Sequence, residues 1–240
     1  MGGGVIIKPV LDALGVADVA AINLLSGCTV IGMSSWSVGK SVLRRESAID
    51  LRLSTPLAIG AAVGGIIGKD LFRAVAGCFA DPNTAGGIQA CLLLAATFAT
   101  LVYTGRKDRI RSWETQSRLA CCVIGAALGI LGAFLGIGGG PFNMAVLYLF
   151  FSMSTKTAAQ NSLYIILISQ ITALLRTLLS GAVPIVSPML LGGMILCGVL
   201  GSEIGNRVNR RLTERKATVL FEGAMVLVMM ICMYNMNKYL

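Results

Sequence analysis

A run of 33 residues without a charged side chain, Leu119 to Phe151, limits what this chain can fold into. One straight helix of that length would measure roughly 50 Å, whereas the hydrocarbon core of a bilayer is about 30 Å thick. Gly138, Gly139, Gly140 and Pro141 interrupt the run. Glycine unwinds a helix easily, and proline suits the first turn of the next helix. We therefore expect a long helix, an unwound turn and a shorter helix with free N–H groups at its start; the alternative is a loop between two ordinary spans.

The rest of the chain is also rich in apolar residues. Hydrophobic residues make up 55% of the 240 residues and charged residues 13%, whereas soluble domains carry nearer 25% charge. Apolar segments recur at residues 5–14, 19–38, 53–68, 85–105, 119–137, 142–151, 157–180, 189–206 and 217–237. This pattern predicts an all-α polytopic membrane protein, with residues 1–240 forming one transmembrane domain embedded in the lipid bilayer.

The net charge of +9 does not indicate a nucleic-acid partner. Most basic residues lie in three short loops, which is where the positive-inside rule expects them. The chain has no histidine, no Cys-x-x-Cys pair and no Walker-type phosphate loop. We therefore expect no cofactor and no metal ion, and we do not expect an enzyme.

The chain repeats itself. Met1 to Gly4 align with Ile137 to Gly140, and the Ala-Ala-x-Asn stretches that end at Asn23 and Asn161 align with each other. Further on, Gly65 to Asp70 match Gly198 to Glu203. These matches predict a tandem duplication, residues 1–117 and 118–240, with a Gly-rich broken helix in each copy. The second copy has a long helix before its glycines and the first copy begins at them, so we expect one helix of the full design to be missing here.

Equivalent loops of the two copies carry opposite charge. The loop after residue 38 is basic, while its counterpart, Gly181 to Pro188, has no charge. Inverted repeats predict this difference, because each copy then lies in the membrane the opposite way up. An inverted arrangement needs an odd number of crossings, which is five per copy when each short helix after the glycines crosses. If those helices do not cross, each copy has four spans and the copies are parallel.

The motifs resemble those of a known family. The sequence Gly-Ala-Phe-Leu-Gly-Ile-Gly-Gly-Gly-Pro-Phe from Gly132, its partner from Met1 to Leu11, and the paired Ala-Ala-x-Asn stretches are similar to the TauE/SafE sulfite-exporter family. The resemblance implies a multi-pass permease of the inner, or cytoplasmic, membrane. It further implies that the substrates are small sulfur-containing anions, such as sulfite or organosulfonates. A gradient of protons or sodium ions would drive transport.

A small oxyanion needs converging donors and positive potential in place of its lost water. The helix starts after the glycines of both copies would supply backbone N–H groups. Polar side chains inside apolar spans would supply others, and Arg176 would add a positive charge. The candidate substrate-binding residues are Gly2, Gly3, Gly4, Asn23, Ser34, Gly138, Gly139, Gly140, Asn161, Gln170 and Arg176. The competing interpretations are hydrogen bonding between helices for the polar residues and snorkelling to the interface for Arg176.

A secondary transporter is the function that these features favour, because unwound backbone inside a membrane is typical of transporter binding sites. The alternative is a non-transporting membrane scaffold or assembly partner. Asp70, Glu203 and Glu222 are the acids that could carry a coupling proton. The plainer interpretation is that they anchor loops or pair with Lys69 or Arg207.

Overall fold

The computed structural model describes residues 7, 10–11, 19–44, 48–78, 82–106, 117–135, 140–181 and 183–239. Eight helices have bounds within these residues. They are α1 (Val19–Leu43), α2 (Leu51–Gly77), α3 (Pro82–Arg106), α4 (Arg118–Phe134), α5 (Gly140–Phe151), α6 (Thr155–Leu179), α7 (Pro188–Arg211) and α8 (Glu214–Tyr239). Six of them, all except α4 and α5, contain stretches long and apolar enough to span a membrane. The protein is therefore an all-α polytopic membrane protein, as the hydropathy pattern predicts.

The uncharged run from Leu119 to Phe151 forms two helices rather than one. Helix α4 ends at Phe134 and α5 begins at Gly140, and residues 136–139 lie outside the described residues. Helix α5 ends at Phe151, and the φ of 51° at Ser152 is the left-handed value common just past a helix end. The next residue, Met153, donates its N–H to the carbonyl of Leu147 at 3.3 Å. At roughly 18 Å by helical rise, α5 is shorter than the thickness of a bilayer core.

Glycines bring α2 and α4 into backbone contact. A Cβ added to Gly60 would lie 2.1 Å from the carbonyl oxygen of Cys122, and one added to Gly64 would lie 2.0 Å from that of Ala126. From the other side, a Cβ at Gly125 would lie 2.2 Å from the carbonyl oxygen of Leu57. Small residues spaced four apart are how membrane helices approach closely, since lipid gives no hydrophobic drive for helix association.

The contacts fix the relative directions of the helices. Gly27 of α1 lies against Gln170 of α6, while Val30 and Met33 pack with Ile166, so α1 and α6 run antiparallel. Helix α2 runs parallel to α6, because Ser54 bonds to Asn161 and Asp70 pairs with Arg176. Helix α7 runs parallel to α1, as the pairs Gly32–Ile195 and Ser37–Asn206 establish.

Helices α3 and α8 are also antiparallel, with Gly105 near Glu222 and Leu93 in one cluster with Cys232. One end of the bundle therefore collects the ends of α1, α3 and α7 and the starts of α2, α4, α6 and α8. We call it the basic end. Its described cations are Lys40, Arg44, Arg52, Arg106, Arg118, Lys156, Arg207, Arg210, Arg211, Arg215 and Lys216. The described cations of the opposite end are Lys69, Arg73, Arg176 and Lys238.

Candidate anion site

A cavity of about 970 Å³ lies at the basic end, bounded by α1, α6, α7 and α8. Its deeper wall is apolar and includes Met33, Met144 and Phe221, each of which is almost fully buried. Its polar residues lie nearer the helix ends. Lys40 is seven residues beyond Met33 on α1, which is roughly 10 Å along the helix axis. The cavity therefore leads from a polar mouth to an apolar floor between these helices.

Cations dominate the charged lining of this cavity. Lys40 and Arg44 come from α1, and Arg207 and Arg210 come from α7. Glu203 is the acid among the described residues that line it. The side chains of α6 at this level, Thr155 and Gln160, are polar and uncharged, and α8 contributes apolar residues. The potential inside the cavity therefore favours an anion, because low-dielectric walls strengthen the field of the lining charges.

The carboxylate of Glu203 receives three donors. Lys40 Nζ from α1 pairs with both carboxylate oxygens. Trp36 Nε1 donates to Oε2 at 3.2 Å, and Arg207 Nε donates to Oε1 at 3.0 Å. The Lys40 ammonium also lies 6.0 Å from the centre of the Trp36 ring, within reach of a cation–π contact. The pairing of Glu203 with Arg207 is one of the roles that the sequence suggested for this acid.

Two serine hydroxyls of α1 have no hydrogen-bond partner among the described residues. Ser34 is fully buried, and the Oγ of Ser41 is hidden from solvent although Ser41 lines the cavity. A buried hydroxyl without a partner loses free energy of about 1–3 kcal/mol. Ser34 is one of the predicted site residues. No described residue bonds to its hydroxyl, which is therefore available to a ligand or a water molecule.

Asn161 is a predicted site residue whose hydrogen bonds are all made within the protein. Its Oδ1 accepts from the backbone N–H of Asp50 at 2.9 Å and from the hydroxyl of Ser54. Its Nδ2 donates to the carbonyls of Ala48 at 3.1 Å and Thr157 at 2.8 Å. An amide has two acceptor and two donor positions, so all four are occupied. The side chain fixes the start of α2 against α6.

Arg176 also pairs within the protein. Its Nη2 lies 2.7 Å and 2.8 Å from the two carboxylate oxygens of Asp70, and its Nη1 donates to the carbonyl of Ile66 at 2.9 Å. The sequence suggested Lys69 as the neighbour that Asp70 would pair with, and the structure shows Arg176 instead. The Asp70–Arg176 pair joins α2 to α6 at the opposite end, just as Lys40–Glu203 joins α1 to α7 at the basic end.

The other predicted site residues are dispersed. Asn23 is exposed near the start of α1, at the opposite end from Asn161, so the structure does not bring the two asparagines together. Gln170 is half-buried where α1 crosses α6, and Gly140 is buried at the first position of α5. Gly2, Gly3, Gly4, Gly138 and Gly139 lie outside the described residues, and their predicted roles stay predictions.

Sequence reasoning missed the cluster around Glu203. A tryptophan and a lysine near the end of an apolar span are ordinary at a membrane interface, so neither Trp36 nor Lys40 indicates a site by itself. The sequence held a usable signal, because Asp70 and Glu203 align in the predicted duplication and each pairs with a cation of another helix. Among the described residues, no group of three or more Cys, Asp or Glu side chains is arranged to hold a metal ion.

Comparison with known proteins decides the family. A family model described as sulfite exporter TauE/SafE matches residues 1–233. The chain belongs to the TauE/SafE sulfite-exporter family. It is similar to the probable membrane transporter protein YunE of Bacillus subtilis (strain 168), with 26% identity over 105 residues. That match covers 44% of this chain and 37% of the relative. No solved structure matches the chain.

Membership of the TauE/SafE family agrees with the fold. The family name and the description of YunE refer to transport across membranes, and six helices of this chain can span one. The chain is therefore a multi-pass membrane protein of a transporter family. Within the described residues of this TauE/SafE protein, the cavity at the basic end combines space for a small anion with positive charge.

Proposed function

We propose that this protein is a secondary transporter of small sulfur-containing anions, such as sulfite, thiosulfate or organosulfonates, across the cytoplasmic membrane. The observation that carries the proposal is the cavity between the copies, with Lys40, Arg44, Arg207 and Arg210 along its wall. A sulfur oxyanion that leaves water requires several donors at once. A cation-lined cavity reduces that desolvation penalty and raises the local concentration of anions.

The directions of the helices support an inverted repeat as part of this proposal. Helix α1 and its sequence counterpart α6 run antiparallel, and α3 and its counterpart α8 do so as well. The basic residues gather at one end, which the positive-inside rule assigns to the cytoplasm. In this arrangement the cavity opens to the cytoplasm. A second conformation, in which the two copies exchange their roles, opens to the other side of the membrane.

The two ion pairs between the copies fit alternating access. Lys40–Glu203 closes the contact of α1 with α7, and Asp70–Arg176 closes that of α2 with α6. They lie at opposite ends of the bundle. Asp70–Arg176 holds the far end together while the cavity is open, and Lys40–Glu203 lies in the wall of that cavity, where an arriving anion competes with it. In this scheme Arg176 and Asn161 position helices, whereas Ser34, Gly140 and the predicted glycine breaks supply donors along the deeper path of the anion.

Uptake into proteoliposomes tests the proposal. Purified protein is reconstituted, and sulfur-labelled sulfite, thiosulfate and isethionate are offered in separate experiments. We expect uptake of at least one of them above that of protein-free vesicles. Lys40→Gln should raise the half-saturating concentration of the anion at least tenfold, because a hydrogen bond to a charged group contributes about 1.5–3 kcal/mol.

Lys216→Gln is the matched control. It removes the same charge at the same end, on an exposed side chain of α8 outside the cavity lining. Its uptake should match that of the unmodified protein. Absence of uptake for all three anions, in vesicles that contain folded protein, would contradict the proposal. If Lys40→Gln and Lys216→Gln change uptake equally, the protein is still a transporter, but the cavity is not on the path of the anion.

A further inference from the structure

The carboxylate of Glu203, at the wall of the cavity, accepts from three side-chain donors. Lys40 Nζ, Trp36 Nε1 and Arg207 Nε converge on its two oxygens from two helices. The carboxylate is only partly shielded, since 16% of its side chain is exposed, and it faces the cavity in which an anion would bind. A carboxylate and a sulfur oxyanion present the same chemistry to these donors, namely a negative charge on oxygen acceptors.

We propose that Glu203 is the proton-coupling residue of the transporter: it binds one proton when the substrate anion displaces its carboxylate from Lys40, Trp36 and Arg207. The inference rests on the proposed function and deepens it by naming the coupling ion as a proton. The step is a simple protonation. One proton from solution adds to the carboxylate, the donors pass to the anion, and release of the anion on the far side lets the proton leave.

The charges around Glu203 explain why its protonation and the binding of the anion are linked. Lys40 and Arg44 on α1 and Arg207 and Arg210 on α7 line the same cavity. From α6 the neighbours are the uncharged Thr155 and Gln160, and from α8 they are apolar. In the empty cavity these cations hold the carboxylate ionised. An anion beside Lys40 adds a like charge next to Glu203 and takes over its donors, and both effects favour the protonated acid.

Linkage makes the coupling reciprocal. If the anion promotes protonation of Glu203, then protonation of Glu203 promotes binding of the anion by the same factor. A proton gradient therefore drives accumulation of the anion. With the membrane potential clamped at zero, one coupled proton gives an accumulation of about tenfold for each pH unit of gradient.

The test uses thiosulfate, which stays unprotonated near neutral pH. Proteoliposomes receive an inward pH gradient at zero potential, and accumulation of labelled thiosulfate is measured. The unmodified protein should accumulate it about tenfold per pH unit. Glu203→Gln should equilibrate thiosulfate without accumulating it, and its binding should no longer depend on pH. Glu203→Asp should retain the response to pH, because it keeps a titratable carboxylate.

Glu222→Gln is the matched control. It removes one carboxylate from α8, outside the described lining of the cavity, and should accumulate thiosulfate like the unmodified protein. A Glu203→Gln protein that still accumulates thiosulfate about tenfold per pH unit would overturn the inference. That outcome leaves the proposed function in place, whereas failure of the unmodified protein to take up any of the three anions removes both.

A second measurement does not depend on how the variants fold. Thiosulfate is added to the unmodified protein in weakly buffered detergent solution, and a pH dye reports proton uptake. We expect close to one proton bound per thiosulfate bound near neutral pH. Binding of thiosulfate without proton uptake at any pH would overturn the inference.

Discussion

Asn161 gives the sharpest test of how the structure assigns its polar residues. The side chain is fully buried, and its amide joins the start of α2 to α6 through Ala48, Asp50 and Ser54. Asn161→Ala removes all of these bonds at once. A residue that only binds substrate would change affinity when truncated, whereas this geometry predicts a change in folding stability.

The size of the effect follows from the hydrogen bonds that are lost. Three of the four bonds of Asn161 are tertiary, and the fourth goes back one turn to Thr157 in its own helix. At a net value near 1 kcal/mol each, the tertiary bonds contribute roughly 2–4 kcal/mol, and the fully buried Ser54 hydroxyl keeps the loss towards the upper end. For a chain of this size that corresponds to a fall in melting temperature of roughly 5–10 °C.

The assay heats purified protein in detergent and measures the remaining folded fraction by size-exclusion chromatography with fluorescence detection. Gln160→Ala is the control, because its Oε1 accepts one exposed bond from the backbone of Ala48, and such a bond contributes at most about 1 kcal/mol. Thiosulfate binding to the folded fraction is measured in parallel. The reasoning fails if the Asn161→Ala and Gln160→Ala proteins have the same melting temperature but Asn161→Ala binds thiosulfate tenfold more weakly than the unmodified protein. The amide would then belong to the anion site.

Three further predictions concern packing, topology and the glycine turn. Gly60→Ala should destabilise the protein by about 1–3 kcal/mol in the same melting assay, because its Cβ would meet the backbone of α4; Gly193→Ala should not, since no described atom lies within 4 Å of its Cβ. In a cysteine-free background, a membrane-impermeant thiol reagent should label Thr213→Cys from the cytoplasm and Ser187→Cys from outside, and labelling of both from one side would refute the orientation. Gly139→Leu, outside the described residues, should abolish uptake while the protein still folds and inserts; uptake at the normal rate would remove the turn from the mechanism.

Local patterns were enough to predict the helices. Hydropathy alone located the spans, because each must cover the thickness of a bilayer with apolar side chains. The glycines near Gly140 predicted the interruption of the run from Leu119 to Phe151, since composition there conflicts with one continuous helix. The pairing of Glu203 with Arg207 was also foreseeable, as the two are four residues apart on one helix face.

The site could not be read in the same way, because its contacts join residues far apart in the chain. Lys40 and Glu203 are separated by 163 positions, and nothing local distinguishes Lys40 from the other cations of the positive-inside loops. Asn161 looked like a ligand because it is polar inside an apolar span. Its partners at the start of α2 become visible only once α2 and α6 lie side by side.

Arg176 illustrates the same limit. Sequence reasoning left two interpretations open, substrate binding and snorkelling to the interface. The structure places the carboxylate of Asp70, on helix α2, within hydrogen-bond distance of its guanidinium. The direction of the helices decides this contact, and the direction follows from the packing of α2 against α6.

The central claim is that anions pass through the cavity at the basic end, and chemical blockade of that cavity tests it most directly. Ala159, which lines the cavity, is changed to cysteine in a cysteine-free background, and a bulky thiol reagent is applied before thiosulfate uptake is measured. We predict that modification stops uptake and that excess thiosulfate slows the modification, whereas modified Thr213→Cys protein transports normally. Full labelling of Ala159→Cys with undiminished uptake would contradict the account.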